Sequence, residues 1–168
     1  MRKTVAMKDE LLLERIFAVI PGNFELAGEV SSSVKKVLRK MGIDAELIRR
    51  ICVACYEAEM NMVIHSYGGS IKLKVAPQEI IIIAQDCGPG IADVELVLKD
   101  GYTTASDYVL SQGFGAGRGL SNIKRYSDAF SIDSAIGNGT KLELHFKITD
   151  ISTNDVSKKH LYTKGEVR

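Results

Sequence analysis

The sequence predicts an α+β fold, a two-layer α/β sandwich with helices on one face of a mixed, mainly antiparallel sheet. Three observations carry this. Two segments repeat apolar residues at three- and four-residue steps, as helices packed on one side do. Short apolar runs bounded by Pro and Gly read as strands. Tight turns join those runs at Pro77-Gln78 and Asn138-Gly139, so hairpins dominate the strand connections.

The elements follow in order. A first strand is expected over 16–20, stopped by Pro21-Gly22. Leu26, Val30, Val34, Leu38 and Met41 predict a helix over 25–41 with Gly42 as its C-terminal stop. Asp44 is placed to N-cap a second helix. Its Ile48, Ile51, Cys55, Ala58 and Met62 share one inward face, and Gly68-Gly69 ends it. Strands over 70–75 and 79–84 form an antiparallel pair, and Gly88-Pro89-Gly90 breaks the second. A short helix is expected over 92–99. The polar stretch 101–115 is loop-like and long enough, inside a compact domain, to be functional or disordered. A third long helix is expected over 117–126, and strands over 129–135 and 140–148 close the fold. One domain over 1–148 is expected, followed by a polar tail over 149–168 that is weakly patterned enough to be flexible.

A chain of 168 residues with 45% hydrophobic content can bury a core without staples. Its 22 Lys+Arg against 21 Asp+Glu give a formal charge of +1, which supplies no general attraction to nucleic acid or acidic membranes. A small basic patch is compatible with that balance. The three cysteines, Cys52, Cys55 and Cys87, are too few and too odd in number for a disulfide framework. Cys52-x-x-Cys55 lies inside an apolar helical pattern, which favours small buried hydrophobes over a redox or zinc half-site. Residues 1–14 carry charges throughout, so no signal peptide is expected. The apolar run 80–84 is far short of a membrane span. A cytoplasmic protein is expected, with no nucleic-acid or membrane partner.

Four constellations offer chemistry. Glu57, Asn61 and His65 recur at four-residue steps and share one stripe of the second helix. The stripe reads as a solvated edge or as a carboxylate and an amide facing a ligand. Asp86-Cys87-Gly88-Pro89-Gly90 follows a buried strand. It reads as an ordinary turn, or as a fixed acceptor for an exocyclic amine, with Gly88 and Gly90 letting backbone approach a base. Gly113-Phe114-Gly115-Ala116-Gly117-Arg118-Gly119 opens a helix. It reads as a flexible linker or as amides that wrap phosphate oxygens. No Gly-Lys-Ser/Thr closes it as in a P-loop. Arg118 and Leu120 stand where a dinucleotide fingerprint needs its last glycine. Gly137-Asn138-Gly139-Thr140 is a hairpin turn whose Thr140 hydroxyl is placed to enter a site.

Together these residues resemble the GHKL ATPases, a superfamily that includes DNA gyrase, heat-shock chaperones, histidine kinases and mismatch-repair proteins. Glu57-x-x-x-Asn61 resembles its N box, Asp86-x-Gly88-x-Gly90 its first glycine box, Gly115-x-Gly117-x-Gly119 its second, and Gly139-Thr140 its closing element. Asp100-Gly-Tyr-Thr-Thr-Ala105 and Gly115-Ala-Gly-Arg-Gly-Leu-Ser-Asn-Ile-Lys-Arg125 look most like the bacterial anti-sigma-factor and switch serine-protein kinases of the RsbW and RsbT type. The resemblance implies a Bergerat-type ATP-binding fold and a serine/threonine protein kinase using ATP and Mg²⁺. Its substrate would be a small STAS-domain anti-sigma-factor antagonist. A sigma factor, a phosphatase or a second copy of the chain are further candidate partners. The alternative is a non-catalytic, ATP-dependent module that sequesters a sigma factor or activates a partner.

By the same resemblance, Glu57 would be the general base and Asn61 would hold Mg²⁺ through its amide oxygen. Asp86 would bind adenine, supported by Thr140. Gly88, Gly90, Gly115, Gly117, Arg118, Gly119 and Leu120 would contact the nucleotide. Arg118 and Lys124 are candidate charge stabilisers, and 101–114 would be an ATP lid, longer between Ala105 and Gly113 than in the switch kinases. His65 matches a family position at the helix end and is expected to be structural, and Cys87 is expected near the nucleotide.

Overall fold

Burial alternates along β2 (Gly69–Val75), β3 (Glu79–Asp86) and β5 (Thr140–Lys147) with the period of two that a one-sided sheet requires. Antiparallel pairing lines the inward residues up in three rows: Ile71, Ala84 and Leu142; Leu73, Ile82 and Leu144; Val75, Ile80 and Phe146. The fold is that of a computed structural model describing residues 11–99, 101–111 and 113–149. Asp100 and all of the expected tail but Thr149 lie outside the described residues. With β1 (Leu13–Val19) and β4 (Ala129–Ser134), the strands form one five-stranded sheet of order β1-β2-β3-β5-β4. Every pairing is antiparallel, where a mixed sheet was expected. β1 starts three residues before the expected strand. Its Leu13, Glu14 and Arg15 pair with Val75, Lys74 and Leu73 at the sheet edge, where one side meets water and no apolar run is needed.

Helices α1 (Glu29–Lys40), α2 (Ala45–His65) and α5 (Gly119–Tyr126) form the second layer. Asp44 caps α2 by accepting from the Glu46 and Leu47 N–H groups. The expected inward face of α2 is buried at Ile48, Ile51, Cys55, Ala58 and Met62. Val34 and Leu38 of α1 and Ile123 of α5 complete the core against the sheet. Each fully buried side chain of this size contributes roughly 1.5–3 kcal/mol. Two short helices lie in the connection between β3 and α5: α3 (Val94–Val97) falls within the expected short helix, and α4 (Asp107–Ser111) within the stretch expected to be loop. Among the described residues, no helix is long and apolar enough to cross a membrane.

The expected first helix is broken. Phe24–Leu26 is a single 3-10 turn, Leu26 is half exposed, and the α-helix starts only after Gly28. The cause sits on α2. Glu59 is 2% exposed, and its carboxylate accepts from the N–H groups of Gly28 (2.9 Å), Val30 (3.2 Å) and Ser31 (3.1 Å). These are donors that the first turn of α1 cannot satisfy itself, and they sit at its positive dipole end. A buried carboxylate is tolerated because it is hydrogen-bonded to these donors. Glu59→Ala is expected to lower unfolding free energy by about 3 kcal/mol, with Glu59→Gln losing less. Urea denaturation checks this as a lower midpoint at unchanged slope.

Candidate functional site

The stripe Glu57, Asn61 and His65 lines a cavity of about 670 Å³. Asp86, Gly90, Gly115, Gly117, Arg118, Gly119, Leu120 and Thr140 line the same cavity. Gly88 does not line it, but donates its N–H to Asp86 Oδ1 at 2.7 Å. Lys124 is exposed on α5 and outside the lining. From Glu57 to His65 the stripe runs eight residues, about 12 Å of helix at the standard rise.

At the Glu57 end, α2 meets the start of α5. A Cβ added to Gly119, the first residue of α5, would stand 3.2 Å from Asn61 Oδ1 and 3.4 Å from Glu57 Oε2. A carboxylate oxygen and an amide oxygen therefore flank one bare piece of backbone. Asn122, a turn further along α5, donates from Nδ2 to Glu57 Oε1 at 2.7 Å. That bond fixes the carboxylate and leaves Oε2 on the Gly119 side. The N-cap of α5 is Arg118, which makes no side-chain cap bond, and the first turn carries no acid. The helix therefore presents its first N–H groups and positive dipole end without an anion of its own. Such an end takes phosphate oxygens. An amide oxygen such as Asn61 Oδ1 suits a hard cation such as Mg²⁺ that keeps waters and phosphate oxygens as its other ligands, so the residues fit a metal-bound polyphosphate.

At the other end, Asp86 closes β3. Its Oδ1 accepts from Gly88 N–H at 2.7 Å and from Thr140 N–H at 3.1 Å. Both bonds use one oxygen. Thr140 thus supports Asp86 through its backbone. Its hydroxyl is engaged by Ser134 Oγ at 2.9 Å. Ser134 also receives the Ile91 N–H at 2.8 Å and contacts the Gly139 carbonyl at 3.0 Å. One hydroxyl therefore ties the β3 loop to the β4–β5 hairpin. Gly90 has φ +75°, and a Cβ there would run into the Ala135 carbonyl. Its lack of a side chain makes room for the hairpin and not only for a ligand.

The glycines before α5 pack against the preceding loop. Gly117 has φ +75°, and an added Cβ would lie 2.6 Å from the Tyr102 carbonyl oxygen. Gly117 also accepts the Gly101 N–H at 2.9 Å. The Phe114 ring stacks on Phe24 with centroids 5.4 Å apart, joining the end of this loop to the segment before α1. The loop thus rests across the cavity on contacts that side chains at Gly115 and Gly117 would obstruct.

Asn122 and Ser134 are site residues that the sequence reading missed. Asn122 had a signal, since it stands three residues after Gly119 and so on the same helix face. Ser134 had none, because its Ile91 partner lies in a distant segment of the chain. Cys55 is fully buried as expected, while Cys52 is half-buried and Cys87 is exposed beside Asp86 and outside the cavity lining. His65 is half-buried. Burial pushes its pKa below 6.5, with the Asp86 charge opposing.

Residues 20–146 match the family described as Histidine kinase-like ATPase domain. The chain is 31% identical over 113 residues to the serine/threonine-protein kinase RsbT of Bacillus subtilis, a match covering 65% of this chain and 79% of that protein. It is 30% identical over 112 residues to the anti-sigma F factor of Clostridium novyi, covering 63% and 75%. Among solved structures it is similar to the mycobacterial sensor histidine kinase MprB, with a TM-score of 0.48 and 16% identity over 80% of this chain and 97% of that one.

His65 makes the stability of the fold depend on pH. A histidine held below its unfolded pKa favours folding while neutral, so its contribution is complete above pH 6.5 and is lost as pH falls through the lower folded value. Wild-type urea midpoints are expected to drop below pH 6.5, and His65→Gln is expected to flatten that part of the drop.

Proposed function

The chain belongs to the histidine kinase-like ATPase domain family, and we propose that it is an ATP-dependent serine/threonine protein kinase of the switch type. Its acceptor would be a serine or threonine hydroxyl on a small STAS-domain partner. One observation carries the reading: Glu57 Oε2 and Asn61 Oδ1 flank the bare Gly119 backbone at the start of α5. Binding a nucleotide needs the helix end and the amide. It does not need a carboxylate oriented by Asn122 beside the phosphate position.

The cavity has the polarity of an adenine nucleotide. Asp86, with Oδ1 held by two backbone donors, keeps a fixed carboxylate acceptor for the adenine amino group, where guanine would present a carbonyl. At the Glu57 end of the cavity, the α5 N–H groups and Arg118 await the phosphates. Bound Mg-ATP supplies the transferable phosphoryl group and a cation that neutralises its charge. Asn61 Oδ1 would hold that cation. Glu57 Oε2 would accept the proton as the protein hydroxyl attacks the γ-phosphorus, while the bond to the β-phosphate oxygen breaks and ADP leaves. The similarity to proteins named as a serine/threonine kinase and an anti-sigma factor supports the assignment.

Incubating the chain with γ-labelled ATP and a small STAS-domain protein is expected to yield acid-stable phosphoserine or phosphothreonine on the partner. Nucleotide binding without transfer to any such partner would defeat the kinase reading. A regulatory effect that survives Glu57→Ala would favour the non-catalytic module. Glu57→Ala is expected to cut transfer by about 100-fold or more while leaving Mg-ATP binding nearly unchanged. Asp86→Asn is expected to weaken ATP binding by about 10- to 100-fold in calorimetry. Gly119→Ala tests the α5 end: its methyl would crowd Asn61 and Glu57, so Mg-ATP affinity should fall about tenfold or more, with no loss of thermal stability.

A further inference from the structure

Helix α1 exposes Lys35, Lys36, Arg39 and Lys40 against one acid, Glu29, in a chain whose formal charge is +1. The negative end of the helix dipole accounts for Arg39 and Lys40 in the last turn. It does not account for Lys35. Lys35 with Arg39, and Lys36 with Lys40, are like-charge pairs at i,i+4, which an isolated helix disfavours.

Lys35 and Arg39 line a groove of about 510 Å³ between α1 and the first half of α2. Ala45 and Val53, with the nearly buried Ile43 and Ile48 beneath them, form its apolar floor, Arg49 stands on its far rim, and no acidic residue lines it. Arg49 is already paired with Glu46. Lys35 and Arg39 enter no ion pair among the described residues. Both charges are felt at the Cys52 thiol, which also lines the groove. Burial raises the Cys52 pKa, and the Lys35 and Arg39 charges pull against that rise. Tyr56 lines both this groove and the nucleotide cavity.

We propose that this groove docks an acidic amphipathic segment of a partner protein, its apolar side on Ala45 and Val53 and its carboxylates on Lys35 and Arg39. Charge complementarity selects the occupant. Residues 150–168 carry Lys158, Lys159, Lys164 and Arg168 against Asp150, Asp155 and Glu166, so the chain's own tail does not supply the missing charge. Phosphates of nucleic acid or lipid would meet the cations but leave the apolar floor unused. A helix laid in a groove uses both. The groove's cations do not line the nucleotide cavity, so this proposal stands apart from the phosphotransfer reading.

The test uses the full chain and a labelled peptide of about three helical turns, with Leu on one side and Glu on the other. A version with Lys in place of Glu, anionic vesicles and duplex DNA are the comparison arms. The Glu peptide is expected to bind by fluorescence anisotropy and to slow alkylation of Cys52 without slowing exposed Cys87. Lys35→Glu/Arg39→Glu should weaken it about tenfold or more, with Mg-ATP affinity and unfolding midpoint unchanged. Equal binding of the Lys peptide, unprotected Cys52, or affinity that survives the charge reversal would overturn the proposal. So would binding only to vesicles or DNA, or a dimer of the chain that the charge reversal dissolves.

Discussion

Two carboxylates stand two residues apart on α2, so they face nearly opposite ways, about 200° around the helix. Glu59 is buried under the start of α1 and accepts three of its N–H groups. Glu57 faces the start of α5 and accepts from Asn122. The rotational setting of α2 therefore governs both neighbours. Turning α2 would strip Glu59 of its donors and leave a charge in the core, a cost of several kcal/mol. The apolar face of Ile51, Ala54, Cys55 and Ala58 resists the same motion from the sheet side. What holds Glu57 and Asn61 in the cavity is thus a structural carboxylate on the other side of the same helix.

The rest of the cavity is built by backbone meeting backbone. Asp86 lies at the end of β3, where Gly88 and Thr140 hold one of its oxygens. Gly139 and Gly90 allow the hairpin tip to press against that strand end and its loop, and Ser134 ties the loop to the hairpin. Gly115 and Gly117 do the same for the loop that crosses the cavity. A site assembled this way separates its charges along α2, with an acceptor near His65 and donors near Glu57. The family's glycine boxes thus serve two purposes here: they permit close packing within the protein, and at Gly119 they keep a helix end open.

The packing that creates this site also leaves an outer face. α1 lies against α2 through Val34 and Leu38, and their far sides enclose the basic groove. Tyr56 is the wall between groove and cavity, and its ring lies 3.4 Å from the position a Cβ would take on Gly28. A partner in the groove would therefore touch the same helix that carries Glu57, without entering the cavity.

The sequence alone determined whatever follows from periodicity and local chemistry. It set α2 with its Asp44 cap and inward face, the two hairpins, and the stripe that aligns Glu57, Asn61 and His65, because neighbours within a helix or strand are fixed by pitch and pleat. Only the tertiary structure decided the all-antiparallel sheet and the break that delays the first helix until Glu29. It also decided the pairings of Glu59 with α1, Glu57 with Asn122, and Thr140 with Ser134. Most of these join segments far apart in the chain, where a donor's partner depends on how whole elements pack, and no spacing in the sequence records that distance.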